Sequence, residues 1–194
     1  DGNEDAPMDV RIVAGQVYAT PGGRPLLADL YLPKHATGPA PVVLWLHGGG
    51  WKLGNRGLGP DLKRYFAASG IAMASIDYRL TAAATFPAQV HDVKTAVRWL
   101  RTVAPRYNLD ADHIGLWGSS AGAHLAAFVA LTGDGVFEPA EPEHAAHSSR
   151  VSAVVDAYGP VDLLRMDELR PKPSEVDIDP LAMQPVKRPS TDPD

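Results

Sequence analysis

The chain has 194 residues, 45% of them hydrophobic and 21% charged, which is ordinary for a globular domain with a substantial core. A formal net charge of −5 and a pI near 5.8 argue against nucleic acid or an anionic membrane as the partner. The absence of cysteine excludes disulfides, thiolate metal sites and a cysteine nucleophile. No apolar run has the length of a membrane span. The chain begins with Asp1 rather than Met, so secretion, export to the periplasm and a cytoplasmic location all stay open.

The apolar pattern predicts strands that alternate with helices after a polar lead-in at residues 1–9. The first two strands flank a turn rich in glycine and are expected to pair as a hairpin. In chain order, strands are predicted at 10–18, 26–32, 42–46, 71–76, 114–117 and 151–158, and helices at 61–68, at 86–103 and after Ser120. Alternation of this kind specifies an α/β fold, with a mostly parallel sheet and helices on both faces.

The helix predicted at 86–103 has the clearest pattern. Four apolar residues recur at spacings of three and four, namely Val90, Val93, Val97 and Leu100. Pro105 is expected to end this helix. Its charged residues are interpreted as a solvated outer face, namely Asp92, Lys94, Arg98 and Arg101.

A sharp turn between a short apolar strand and a helix rich in small residues is predicted within residues 113–132. The sequence Gly118-Ser119-Ser120-Ala121-Gly122 matches the pattern G-x-S-x-G, in which the middle serine is a nucleophile on a strained strand-to-helix turn. The free N–H groups of a helix N-terminus favour a developing anion at this place. A serine that only caps the helix is the alternative interpretation.

A second motif lies upstream, where His47-Gly48-Gly49-Gly50-Trp51 directly follows the apolar strand at 42–46. Three consecutive glycines make a loop whose backbone amides can approach a ligand closely. An oxyanion hole needs such amides, because they donate hydrogen bonds to the charge that develops on a carbonyl oxygen.

The two motifs, in this order and context, resemble the α/β-hydrolase superfamily. More narrowly, they resemble the HGGG-type esterases and lipases, which include the hormone-sensitive-lipase-like group and the bacterial feruloyl-esterase-like (BD-FAE) group. The resemblance covers roughly residues 10–165. It implies the α/β-hydrolase fold and a serine carboxylic-ester hydrolase that acts on a small-molecule ester through an acyl-enzyme, with no metal and no other cofactor.

The resemblance also implies roles for individual residues. Ser120 would attack the ester carbonyl, and His47 would support the glycine-rich loop by hydrogen bonds rather than act as the base. The oxyanion donors would be the amides of Gly49, Gly50 and Ala121, with Gly48 as a less favoured substitute. Residues that follow strands are expected to line the substrate pocket, namely Trp51, Tyr78, Arg79 and Tyr158.

Beyond residue 159 the sequence changes character, with seven prolines in residues 160–194 and little periodicity apart from a short predicted helix at 161–169. The predicted organisation is therefore a lead-in at 1–9, an incomplete hydrolase domain at 10–170 and a proline-rich irregular tail at 171–194. The chain resembles an N-terminal portion of the fold. Without later strands, the strand at 151–158 would form an exposed edge, which predicts a complementing segment or an oligomeric contact across it.

The triad of this superfamily occurs in the order serine, acid, histidine. No histidine follows Ser120 beyond His147, so the acid and the histidine are expected outside this chain. Asp162 lies where a minority of relatives keep the acid, but a loop or capping role is favoured. For His124, one turn after the serine, packing is favoured over a role as the base.

Three alternatives are left open. An inactive hydrolase-like binding module is supported by the missing histidine. An amidase or a polysaccharide deacetylase of the same superfamily would use the same tetrahedral chemistry. His144 and His147, with Glu141 and Glu143 nearby, could bind a metal if helical, but further ligands are not evident and a solvated loop is favoured.

Overall fold

The computed structural model describes residues 10–166, residue 168 and the short segments 177–178 and 185–186. The chain divides into two units, Asp1–Gly159 and Pro160–Asp194. The predicted lead-in at 1–9 and most of the predicted tail at 171–194 lie outside the described residues. The described part of the second unit contains a 3₁₀ turn and a two-stranded antiparallel pair, at Leu163–Arg165, Asp177–Ile178 and Pro185–Val186.

The first unit is built on a six-stranded sheet. Its strands are β1 (Val10–Ala19), β2 (Leu26–Pro33), β3 (Ala40–Leu46), β4 (Ala72–Ile76), β5 (Leu109–Ser119) and β6 (Ala153–Ala157). Their order across the sheet is β1-β2-β4-β3-β5-β6. The last four are mutually parallel, whereas β2 is antiparallel to both of its neighbours, β1 and β4. The predicted hairpin and the mostly parallel sheet are confirmed.

Three helices cover the two faces of the sheet, namely α1 (Leu62–Tyr65), α2 (Ala88–Tyr107) and α3 (Ala121–Thr132). Alternate residues of β3 point to opposite faces, as the two-residue period of a strand requires. Leu44 belongs to the larger core, which includes α2 and α3, and Trp45 belongs to a smaller cluster that includes α1. Among the helices of residues 10–166, none is both long and apolar enough to cross a membrane.

The end of α2 differs from the prediction. The helix continues through Pro105 to Tyr107, and the left-handed backbone of the next residue, Asn108 (φ 53°), lets its amide donate to the carbonyl oxygen of Ala104. A proline in the last turn removes a single backbone hydrogen bond, so it did not stop the helix. β5 also starts earlier than the strand predicted at 114–117, because Leu109 pairs with Ala40 of β3.

Three charged residues of α2 are buried, so the prediction of a solvated face is wrong for Asp92, Lys94 and Arg98. The loop at 133–150 lies against this side of the helix. Lys94, which is 0% exposed, donates to two main-chain carbonyls of the loop and pairs with Glu138. Arg98 pairs with the same carboxylate. The charges therefore hold a loop in place rather than face water.

β6 lies at an edge of the sheet and is exposed, as the sequence predicts for the strand at 151–158. Val154 is 40% exposed and Val155 is 56% exposed. Neighbouring residues of a strand point to opposite faces, so β6 presents apolar surface on both sides of the sheet.

Candidate active site

Ser120 occupies the turn between β5 and α3 in a strained conformation. Its φ of 51° and ψ of −118° lie in a region that residues other than glycine rarely adopt. The turn is held on both sides, since the Ser120 amide donates to Ala157 of β6 at 3.0 Å and its carbonyl oxygen accepts from His124 of α3 at 3.0 Å. Although Ser120 precedes the helix, its hydroxyl makes no capping hydrogen bond. The side chain is thus not used as a helix cap.

Two glycines allow this turn to be so tight. A Cβ on Gly118 would overlap the backbone of Gly122, and a Cβ on Gly122 would lie 2.5 Å from the carbonyl oxygen of His47. Both contacts are with backbone atoms, which cannot move aside as a flexible side chain could. Only glycine therefore lets α3 approach the end of β3 this closely.

The loop after β3 lies directly against the serine. We call residues 47–50 the glycine loop. We call the turn at residues 118–122 the elbow. A Cβ on Gly48 would be 3.4 Å from the Cβ of Ser120, so the glycine loop lies against the elbow. Gly49 and Gly50 have φ values of 118° and 60°, and their amides donate to no acceptor in the described part of the chain. The structure thus brings together the two motifs that the sequence singled out.

His47 begins the glycine loop and is completely buried. Its Nδ1 lies 2.7 Å from the carbonyl oxygen of Gly48. Because a carbonyl only accepts, Nδ1 carries the proton. Burial lowers the pKa of His47, which favours the neutral ring. Gly54 packs on the same edge of the ring, where a Cβ would overlap Nδ1. These contacts suit a residue that supports the loop.

Two of the pocket residues expected from the sequence are bonded to other residues of the protein, namely Tyr78 and Arg79. Tyr78 is 3% exposed, stacks on the His47 ring at 4.3 Å and donates its hydroxyl to the His47 carbonyl oxygen at 2.8 Å. Arg79 makes a bidentate ion pair with Asp92 of α2, in which Nε donates to Oδ2 and Nη2 donates to Oδ1. Sequence reasoning missed both roles, although a run of three polar residues after buried β4 was a usable signal.

The other two expected pocket residues are more accessible. Trp51 is half-buried at the end of the HGGGW motif, and its ring meets the His124 ring edge-on at 5.3 Å. Tyr158 is 69% exposed directly after β6, which ends beside Ser119.

His124 projects from α3 one turn after Ser120, between the rings of Trp51 and Phe128. Its Nδ1 is buried and meets no hydrogen-bond partner within the described residues. Burial lowers the pKa of His124, and the charge of Asp156 opposes this shift. The aromatic contacts match the favoured packing role.

Two other polar residues considered from the sequence make structural contacts. Nε2 of His144 lies 3.0 Å from the carbonyl oxygen of Tyr18, and its Nδ1 lies 3.2 Å from the Thr102 hydroxyl. Among the residues that the structure describes, His, Asp and Glu side chains form no cluster of three suited to a metal. Asp162 accepts a hydrogen bond from the amide of Arg165 and so caps the 3₁₀ turn.

The family model of BD-FAE matches residues 28–189. The chain belongs to the BD-FAE family. This BD-FAE chain is 37% identical over 134 residues to the probable carboxylic ester hydrolase LipM of Mycobacterium tuberculosis. The alignment covers 68% of the chain and 30% of LipM, so the BD-FAE chain spans about a third of that relative.

Solved structures that are similar to the chain are esterases and support the predicted fold. A bifunctional GH43-CE protein of Bacteroides eggerthii has a TM-score of 0.73 and 33% identity, covering 85% of the BD-FAE chain and 25% of that protein. A truncated form of a carbohydrate esterase from gut microbiota has a TM-score of 0.72 and 30% identity, covering 84% of this chain and 62% of that one. The BD-FAE chain has the α/β-hydrolase fold.

Proposed function

We propose that this chain carries the nucleophile and the oxyanion loop of a serine carboxylic-ester hydrolase. The observation that carries the proposal is Ser120, held at a positive φ on the strand-to-helix turn with its hydroxyl unused by the helix. A strained turn persists where its surroundings enforce it, and such strain is concentrated at functional sites. The close approach of Gly48 to Ser120, and the relatives named as ester hydrolases, support the same function.

In the proposed reaction, the Ser120 oxygen attacks the ester carbonyl carbon while a histidine takes the hydroxyl proton. The negative charge that develops on the carbonyl oxygen is stabilised by the amides of Gly49, Gly50 and Ala121. The carbon–oxygen bond to the alcohol then breaks, and the histidine returns the proton to the departing alkoxide. In the second half of the reaction, the histidine takes a proton from a water molecule, whose oxygen attacks the acyl carbonyl carbon. The bond to the Ser120 oxygen then breaks, and the histidine returns the proton to the serine.

The histidine and its acid partner are proposed to come from residues outside this chain. His47 is bonded through Nδ1 to the glycine loop, and both ring nitrogens of His144 contact other groups. A complementing segment or an oligomeric contact across β6 is the proposed route, because β6 is parallel to β5 and ends next to the elbow. Such a segment would cover the exposed faces of Val154 and Val155.

The test is to treat the whole protein that contains this chain with a fluorophosphonate and to assay it on p-nitrophenyl acetate. We expect the label on Ser120 and a loss of about 10⁶ in kcat for Ser120→Ala. Equal hydrolysis by the wild type and Ser120→Ala would remove Ser120 as the nucleophile. Ligand binding without labelling or turnover would instead indicate an inactive binding module.

A second candidate within the same chemistry is an esterase that removes acyl groups from a carbohydrate. The observation that favours it is the similarity to the carbohydrate esterase from gut microbiota. Release of acetate from an acetylated polysaccharide, compared with release from p-nitrophenyl acetate, distinguishes this substrate class from simple esters. An amide substrate assayed in parallel tests the amidase alternative.

A further inference from the structure

The backbone of the glycine loop has little stiffness of its own. Three of its four residues lack a side chain, and Gly49 and Gly50 are both in the left-handed region of φ. The orientation of its amides must therefore be set by neighbours. The carbonyl oxygen of Gly49 accepts from the amides of Lys52 and Leu53 at 3.0 Å each, and further neighbours lie in the segment that follows β4, at residues 77–81.

Tyr78 contacts the start of the loop in two ways. Its ring lies parallel to the His47 ring, with an interplanar angle of 10° and a centroid distance of 4.3 Å. Its hydroxyl donates to the carbonyl oxygen of His47 at 2.8 Å. That oxygen belongs to the peptide group whose nitrogen is the amide of Gly48, and a peptide group is planar. The hydrogen bond therefore restrains the plane in which the loop enters the elbow.

The same segment holds the continuation of the loop at two further points. The amide of Thr81 donates to the carbonyl oxygen of Trp51 at 2.9 Å. The Asp77 carboxylate accepts from the amide and the guanidinium of Arg56, each at 2.7 Å. Residues 77–81 thus bond the chain at three points, at His47 of the glycine loop and at Trp51 and Arg56 beyond it.

We propose that Tyr78 is a positioning residue, which sets where the amides of Gly49 and Gly50 lie relative to Ser120. This inference rests on the proposed ester hydrolase function. An oxyanion donor acts only if it lies within hydrogen-bond distance of the place where the charge develops. A displacement of about 1 Å can cost as much as 10² in rate, so a hydroxyl that touches no substrate can still control turnover.

The experiment uses the whole protein with Tyr78→Phe, which keeps the ring stack and removes only the hydroxyl. We expect kcat for p-nitrophenyl acetate to fall roughly tenfold while KM stays within about twofold, because the ground-state ester carries no oxyanion. The affinity for a trifluoromethyl ketone, whose serine adduct carries an oxyanion, should fall by the same factor as kcat. A purely structural tyrosine would lower the melting temperature without this kinetic pattern.

The matched control is Tyr107→Phe, which removes a hydroxyl bonded to the Gln16 side chain at 3.2 Å, at the end of α2. It should keep the wild-type kcat and ketone affinity. Asp77→Asn, which weakens the attachment of Arg56, should give a smaller fall in kcat and decides the matter if Tyr78→Phe does not fold.

Wild-type kcat and ketone affinity in a folded Tyr78→Phe would overturn the inference. If Tyr78→Phe does not fold, wild-type values in Asp77→Asn would do so. The proposed function is tested separately in the same assay. Wild-type hydrolysis no faster than that of Ser120→Ala would remove the proposed function, and the role of Tyr78 with it.

Discussion

Gly122 of α3 lies so close to His47 of the glycine loop that a Cβ on the glycine would be 2.5 Å from the histidine's carbonyl oxygen. The same oxygen accepts a hydrogen bond from the hydroxyl of Tyr78. The helix that follows Ser120 and the segment after β4 therefore converge on one peptide group. A substitution in either element is therefore expected to change the geometry of the elbow.

Gly118→Ala should destabilise the protein because the new Cβ would overlap the backbone of Gly122. We expect a loss of about 2–3 kcal/mol in the free energy of unfolding, with reduced fluorophosphonate labelling of Ser120. Gly115→Ala is the matched control on the same strand, since its nearest contact would be an ordinary 3.6 Å. Urea unfolding of both variants checks this, and equal losses would contradict the close approach.

Lys94→Met should remove the attachment of the loop at 133–150 to α2. The ammonium group is completely buried and interacts with two loop carbonyls and with Glu138. Its removal leaves these groups without their buried partner, at an expected cost of about 3 kcal/mol in the free energy of unfolding. Chemical denaturation measures the loss. Lys34→Met, at an exposed position, should change stability by less than about 0.5 kcal/mol.

Stability should fall as the pH drops below about 6.5, the ordinary pKa of histidine. Burial lowers the pKa of His47, His91 and His124 in the folded protein. Between the lowered and the ordinary pKa the unfolded chain binds more protons, so this part of the stability is complete above the ordinary value and is lost on acidification. Urea unfolding at about pH 7.5 and about pH 5.5 measures the difference.

The variant for this prediction is His124→Gln, which removes one of the three imidazoles whose pKa is lowered. The difference in the free energy of unfolding between the variant and the wild type at the higher pH, where the imidazoles are neutral, gives its direct effect on packing. The further loss on acidification should be smaller than in the wild type. An identical loss in both proteins would show that His124 does not contribute to the pH dependence.

The isolated chain should associate through β6 in a concentration-dependent way, because an exposed apolar edge strand favours pairing with another strand. Val155→Lys places a charge on this edge and should shift the chain toward monomer in sedimentation velocity. Ile12→Lys is the control, at a 48% exposed position of β1 on the opposite edge. A wild-type chain that is monomeric at every concentration would rule out this contact.

The sequence by itself was sufficient to predict the α/β architecture and to locate the two motifs of the candidate site. Both depend on local rules, namely the two-residue period of strands and the need for glycine where a turn is tight. The strand before Ser120 and the helix after it could therefore be located without coordinates. The resemblance carried by the same motifs indicated the family that residues 28–189 match.

Only the tertiary structure decided which partners the polar residues have. Tyr78 and His47 are 31 residues apart, and Lys94 and Val136 are 42 apart, so no local pattern indicates that either pair is in contact. A charged residue on a helix looks solvated until a distant loop folds over it and supplies carbonyls and carboxylates. The physical reason is that burial depends on the whole chain, whereas backbone conformation at a turn depends on its own few residues.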